Sequence, residues 1–175
     1  MKKLKLLLFD ANVVIELFRQ GIWDKVVERC EIRLSRTVAE EEVKYWEEET
    51  GRQHRIDLDT YIEAGNVKIF DVSFSEIQSY RERFGSMYFE KLDPGETESL
   101  VYLEKHQDLA KICSADKIVY RILGNYRLSD NGISLEEILD SIGLSRPLSH
   151  EFGKEYRLRW SRKGFEEGIR DLGQK

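Results

Sequence analysis

The chain has 175 residues, a length suited to one domain that buries roughly two-thirds of its unfolded surface without a disulfide or metal to hold it together. Hydrophobic residues make up 41% and charged residues 35% of it, which excludes a membrane-spanning or wholly disordered chain. A formal charge of −5, only two prolines and two lone cysteines, Cys30 and Cys113, exclude a strongly basic chromatin-type binder, a long flexible linker and a disulfide framework.

Met1-Lys2-Lys3 followed by apolar residues imitates a signal peptide. Lys5 and Asp10 nevertheless confine the uninterrupted apolar run to residues 6–9, short of an h-region of about 7–15 residues. No stretch approaches membrane-spanning length, and the expectation is a cytoplasmic protein with no membrane contact. Leu4–Phe9 reads instead as a buried strand with a carboxylate at its exit. Asn12 is the expected cap of a helix carrying Val14, Ile15, Leu17 and Phe18, stopped at Gly21. Trp23, Val26, Val27 and Cys30 form a second helical stripe, and residues 32–34 a second strand. Thr37-Val38-Ala39-Glu40 has the form of a capping box and predicts a helix through Trp46, with Val38, Val43 and Trp46 inward.

Leu58, Tyr61 and Ile62 mark a helix ending near Gly65, residues 67–72 a third strand, and Ser73-Phe74-Ser75-Glu76 another capping box. Asp93-Pro94-Gly95-Glu96 combines a cap, a proline at the first helical position and a box glutamate, opening a helix with Leu100, Val101 and Leu103 inward. Residues 109–113 form a fourth strand, 116–123 a helix, and Ser134-Leu135-Glu136-Glu137 a last box. Four strand–helix alternations predict a three-layer α/β/α sandwich around a mostly parallel sheet, spanning residues 1–144. Residues 145–175 read as a separate charged tail or helix.

In open parallel sheets, ligands bind beyond the carboxyl ends of the strands, so the acids there are the candidates. Asp10 ends the first strand and Asp116 follows the fourth. Glu96 lies in the first turn after a Pro-Gly, and Glu42 borders a buried stripe. Each has a plain structural explanation as a helix cap or solvated acid. Their convergence argues further, because carboxylates gathered without basic partners are neutralised by a hard cation such as Mg²⁺ or Mn²⁺.

The ordered set of segments resembles the PIN-domain family, the small metal-dependent ribonuclease fold of VapC-type toxins and RNA-processing nucleases. Leu7-Leu8-Phe9-Asp10-Ala11-Asn12-Val13-Val14-Ile15 is similar to the family's opening strand, Asp and apolar helix. Val38-Ala39-Glu40-Glu41-Glu42-Val43 matches its second acid, with Glu41 or Glu42 in that place. Gly95-Glu96-Thr97-Glu98-Ser99-Leu100 is similar to a Gly-Glu-x-Glu subgroup, whose ending is matched by Ile133-Ser134-Leu135-Glu136-Glu137-Ile138-Leu139. Cys113-Ser114-Ala115-Asp116-Lys117 is like the Thr/Ser-x-Asp that follows a strand. The departures are Ser for the commoner Thr at 114, Glu for Asp at 96, and the tail.

The resemblance implies a ribonuclease that hydrolyses single-stranded RNA with one or two Mg²⁺ or Mn²⁺ ions. Asp10, Glu96 and Asp116 would be ligands and Glu42 a fourth catalytic acid that orders a metal-bound water or a second ion. Asn12 and Ser114 would orient the carboxylates; Glu98, about 200° round the helix from Glu96, would be a satellite. It also implies an antitoxin partner if the chain is a toxin, and a homodimer. A non-catalytic PIN-like binding module for RNA or protein is the competing reading. A haloacid-dehalogenase-like phosphatase is disfavoured because its second Asp is Asn12 here. His54, His106 and His150 show no zinc spacing, and there is no dinucleotide or P-loop glycine pattern.

Residues 154–163 hold five basic residues, one acid and two aromatics. Lys154, Arg157, Arg159, Trp160, Arg162 and Lys163 are the candidate RNA contacts, by phosphate pairing and base stacking. The plain alternative is a terminal helix whose Tyr156, Leu158 and Trp160 pack on the core. From residue 145 onward, eight Lys or Arg stand against five Asp or Glu, so the acidity of the chain is concentrated in the preceding part.

Overall fold

Residues 3–84 and 86–172 are described by a computed structural model. Met1 and Lys2 of the signal-like segment and residues 173–175 of the tail lie outside the described residues. Four strands, β1 (Leu4–Phe9), β2 (Cys30–Ser35), β5 (Val67–Phe70) and β6 (Lys111–Cys113), form one parallel sheet in the order β5-β2-β1-β6. All four predicted strands are present.

The alternation of β1 divides the core in two. Leu7 and Phe9 point into a cluster with α1 (Ala11–Arg19), α2 (Trp23–Arg29) and α8 (Leu135–Ser141). Leu6 and Leu8 point into a second cluster with α4 (Phe74–Phe84), α5 (Ser86–Phe89), α6 (Pro94–Lys105) and α7 (Lys117–Asn125). Covered on both sides, β1 is apolar almost throughout, as such a strand must be. This α/β architecture is compatible with a three-layer sandwich.

Three local expectations are corrected. The cap of α1 is Asp10, whose Oδ1 accepts from Val13 N at 2.8 Å; Asn12 sits exposed within the first turn. Cys30 begins β2 rather than closing α2. The helix expected to run from 37 to 46 stops after one wide turn, Val38–Glu42, closed by Val43 N on Val38 O at 3.0 Å. Its capping box never forms, because the Thr37 hydroxyl donates to Glu98 Oε1 (2.8 Å) and Glu40 pairs with Arg36 (2.7 Å). Trp46 then enters an antiparallel hairpin of β3 (Tyr45–Glu47) and β4 (Gln53–Arg55), stacked on its partner His54 with ring centroids 4.1 Å apart. The remaining helix of this region, α3 (Asp59–Glu63), ends before Gly65, which takes a positive φ of 73°.

The tail forms α9 (Lys154–Leu172), which lies against α7 at backbone contact distance. A Cβ placed on Gly124 would come within 1.9 Å of Ser161 O, and one on Gly164 within 1.9 Å of Arg121 O. An alanine exchanged for a helical glycine ordinarily stabilises a helix by about 1 kcal/mol. Here Gly124→Ala and Gly164→Ala are each expected to destabilise instead, by about 3 kcal/mol, since backbone is what must move. Urea unfolding reads the sign directly; stabilisation by either alanine would show that the two helices do not meet this closely.

Candidate functional site

The strand order places one crossover on each side of β1. From β1 the chain proceeds outward to β2 and β5, then returns to set β6 on the opposite flank. The carboxyl ends of β1 and β6 therefore border the point where the winding reverses, the position at which open parallel sheets leave a crevice. Asp10 follows β1 directly, and Ser114 and Asp116 follow β6.

Asp10 is 3% exposed and ties the two strand ends together. Its Oδ2 accepts from Ser114 Oγ at 2.6 Å and from Ala115 N at 3.1 Å, while Oδ1 caps α1. Ser114 Oγ in turn accepts from Asp116 N at 2.9 Å, and Asp116 caps α7 through Ile118 N at 2.8 Å. The Tyr120 hydroxyl, buried behind Ser114, lies 2.7 Å from Ser114 O and accepts from Ser114 N. Tyr120 belongs to none of the motifs named above. Its signal is a tyrosine four residues past the Asp cap, on the inward face of an apolar helix.

Glu96 arrives from the other direction, in the first turn of α6. Its Oε2 accepts from Asp93 N at 3.1 Å, the expected box contact. Glu42 comes from the wide turn, with Oε1 accepting from Gly95 N at 3.0 Å. Gly95 is essential to this approach: a Cβ there would lie 2.4 Å from Val38 Cγ2 and 2.6 Å from Glu42 Oε2. Glu41 is exposed and lines, with Asn12, Thr37, Glu42, Asp93 and Pro94, an open cleft of about 480 Å³ beside the acids. Of the two adjacent glutamates, Glu42 is the one seated against α6. Glu98 is held by Thr37 near Glu42, with its Oε2 buried and without a hydrogen-bond partner among the described residues. Asn12 makes no hydrogen bond to the carboxylates among the described residues.

The electrostatics follow from burial of acids beside acids. Burial pushes the Asp10 carboxyl up against the opposing effect of its donors, and Asp116 adds to the rise. Burial, with Asp93, Asp10 and Glu98 nearby, raises Glu42 although Gly95 N favours its charge. Glu96 is 3% exposed and is pushed up to about 8, first by burial and then by Asp10, Asp116 and Asp93. Among the described residues, none of Asp10, Glu42, Glu96 and Asp116 forms an ion pair.

The donor set is chemically suited to Mg²⁺ or Mn²⁺, which take hard oxygen ligands. Glu42, Glu96 and Asp116 each have one oxygen anchored by a backbone N–H and the other without a hydrogen bond among the described residues. In the described arrangement no three His, Cys, Asp or Glu side chains are gathered as a metal-holding group. Both cysteines are buried and free, and burial pushes the Cys113 thiol well up, so neither offers a thiolate.

The basic residues of α9 divide. Arg157 is committed to Glu137 (2.7 Å), itself held by the Ser134 box, whereas Lys154, Arg159, Arg162 and Lys163 are exposed. Trp160 is half-buried against the second core cluster. Comparison with family models, curated proteins and solved structures finds no match to this chain. Among the described residues no helix is long and apolar enough to cross a membrane.

Without a divalent cation, Glu96 keeps its proton in the fold up to a pH of about 8, but releases it near 4.5 in the unfolded chain. The native state therefore binds the extra proton between those values, and its stability falls as pH rises from 4.5 to 8. Glu96→Gln retains the box acceptor and removes the titration. In EDTA the variant should be more stable than the parent by about 2–4 kcal/mol above pH 8, with the advantage shrinking toward pH 4.5. Urea unfolding at several pH values tests this; a difference independent of pH would show that Glu96 is ionised throughout.

Proposed function

We propose that this chain is a PIN-like, divalent-metal-dependent ribonuclease acting on single-stranded RNA. The observation that supports it most is the set of uncompensated carboxylates, Asp10, Glu42, Glu96 and Asp116, at the winding reversal of a parallel sheet, with Glu96 held up to about 8. Structural caps alone do not call for acids to be crowded until one of them retains its proton at neutral pH. A Mg²⁺ or Mn²⁺ ion, when bound, would supply charge to polarise a phosphoryl oxygen and to acidify a water. Asp10, Glu96 and Asp116 would hold it.

The chain's own groups define the rest. Ser114 and Ala115 N fix the Asp10 carboxylate through Oδ2, while Oδ1, which accepts only from Val13 N, keeps a second lone pair for a ligand. Glu42, anchored at the amino end of α6, has an oxygen free to accept a proton from water beside the cleft. One observation favours the alternative of a non-catalytic PIN-like binding module: every one of these acids also satisfies a backbone N–H and so has a structural use.

Asp116→Asn and Asp10→Asn are each expected to abolish Mn²⁺-dependent cleavage of single-stranded RNA. Asp116→Asn should melt at or above the parent in EDTA, because it removes a repelling charge and keeps its cap. Asp10→Asn should melt lower, since one atom of its amide is a donor and cannot replace both the oxygen that accepts from Ser114 and Ala115 and the oxygen that caps Val13 N. Mn²⁺ should raise the melting temperature of the parent more at pH 8 than at pH 6, where the cation competes with bound protons. Unchanged cleavage in both variants, or no response to Mn²⁺ at either pH, would falsify the nuclease reading.

A further inference from the structure

Lys117, Arg159 and Lys163 surround one indole. Lys163 Nζ lies 5.1 Å, Lys117 Nζ 5.4 Å and Arg159 Cζ 5.5 Å from the Trp160 ring centroid. All three are exposed, and among the described residues none has a carboxylate partner. The nearby Glu167 is engaged with Arg121 and the Tyr88 hydroxyl. The ring's quadrupole attracts each cation but does not cancel its charge, so three like charges are held around one platform. An anion relieves their repulsion; a metal ion increases it.

The platform is fixed relative to the acids. Trp160 packs edge-on to Tyr156 (6.2 Å), Tyr156 edge-on to Tyr120 (6.5 Å), and Tyr120 is bonded to Ser114, the partner of Asp10. Lys117 is the residue after Asp116. Burial and the adjacent Asp116 push the Tyr156 hydroxyl up, which places α9 beside the same carboxylate. From Arg159 a groove of about 490 Å³ continues past Tyr156 to Arg146 and His150, with Glu136 and Glu155 also on its walls.

We infer that the trio around Trp160 is a backbone-phosphate subsite for a single-stranded nucleic acid. The choice of polyanion rests on the nuclease reading above. The trio differs from the six-residue tract expected from sequence: Arg157 is spent on Glu137, and Arg162 makes no contact with the ring among the described contacts. Lys117, outside the tail, takes a place instead. Trp160 organises cations rather than stacking on a base, being half-buried with cations about its ring.

The test is fluorescence anisotropy of a labelled oligouridylate on the full chain in EDTA, which separates binding from cleavage. The logarithm of affinity should fall with that of salt at a slope of about −2, from three contacts at roughly −0.7 each. Lys163→Glu should weaken binding about tenfold and flatten the slope, with an unchanged melting temperature. Arg162→Glu, the same charge change one position away but off the ring, should alter affinity less than about twofold. Equal weakening by both, or normal binding by a folded Lys163→Glu, overturns the subsite, as does displacement of the RNA by polyglutamate at matched charge, which assigns the surface to an acidic protein. Trio-dependent binding in a chain that never cleaves RNA with Mn²⁺ supports the subsite and refutes the nuclease; cleavage with trio-independent binding does the reverse.

Discussion

Asp10 is the point on which the architecture turns. One buried carboxylate closes the amino end of α1 and accepts two hydrogen bonds from the segment after β6, across the pair of strands where the winding reverses. Without it, Val13 N in the first turn of α1 and Ala115 N after β6 would lose their acceptor. With it, a negative charge is fixed where the sheet opens. The same contacts also orient Ser114, which positions Asp116 through its backbone N–H. Fold and charge placement are thus consequences of one residue.

The other acids repeat the arrangement with a different geometry. Glu96 and Glu42 are each anchored through one oxygen at the start of α6, and Gly95 permits the close approach that makes the second contact. A helix amino terminus attracts anions, which offsets part of the cost of holding carboxylates near one another. It does not remove that cost, as the position of Glu96 at about 8 shows. A fold that retains such crowding has traded stability for a field of negative charge, the usual sign of a site rather than a scaffold.

Much of this was legible in the residues because the signals were local. An unbroken apolar run followed by Asp reads as a covered strand and a cap, and β1 behaves so. Pro-Gly-Glu after Asp93 reads as a box, and Glu96 makes that contact. Local signals mislead where a tertiary partner displaces a local one. Thr37 had the right spacing for a box with Glu40, but Glu98, 61 residues away, takes its hydroxyl. Trp46 fits a helical stripe, yet it stacks on His54 across a hairpin whose second strand carries little apolar signal. The convergence of Lys117 with Arg159 and Lys163 was beyond reach, since it depends on how α9 docks.

That docking is constrained more tightly than apolar contact alone would make it. Gly124 and Gly164 bring two helix backbones together, and neither helix can slide without a side chain or carbonyl meeting its neighbour. Close packing of this kind has discrete registers rather than a continuum. The register fixes Tyr156 against Tyr120 and hence the Trp160 ring beside α7. Positive charge on the last helix is therefore held at a set separation from the carboxylates that follow β1 and β6. The excess of basic over acidic residues in the tail would do no more than raise a general attraction if the tail were loose. Locked by glycine contacts, it holds Tyr156 near Asp116 and the cations about Trp160 next to it. On the nuclease reading proposed above, a polyanion held there would meet carboxylates that repel it until a divalent cation is bound, so the placement of charge would itself make productive binding depend on the metal.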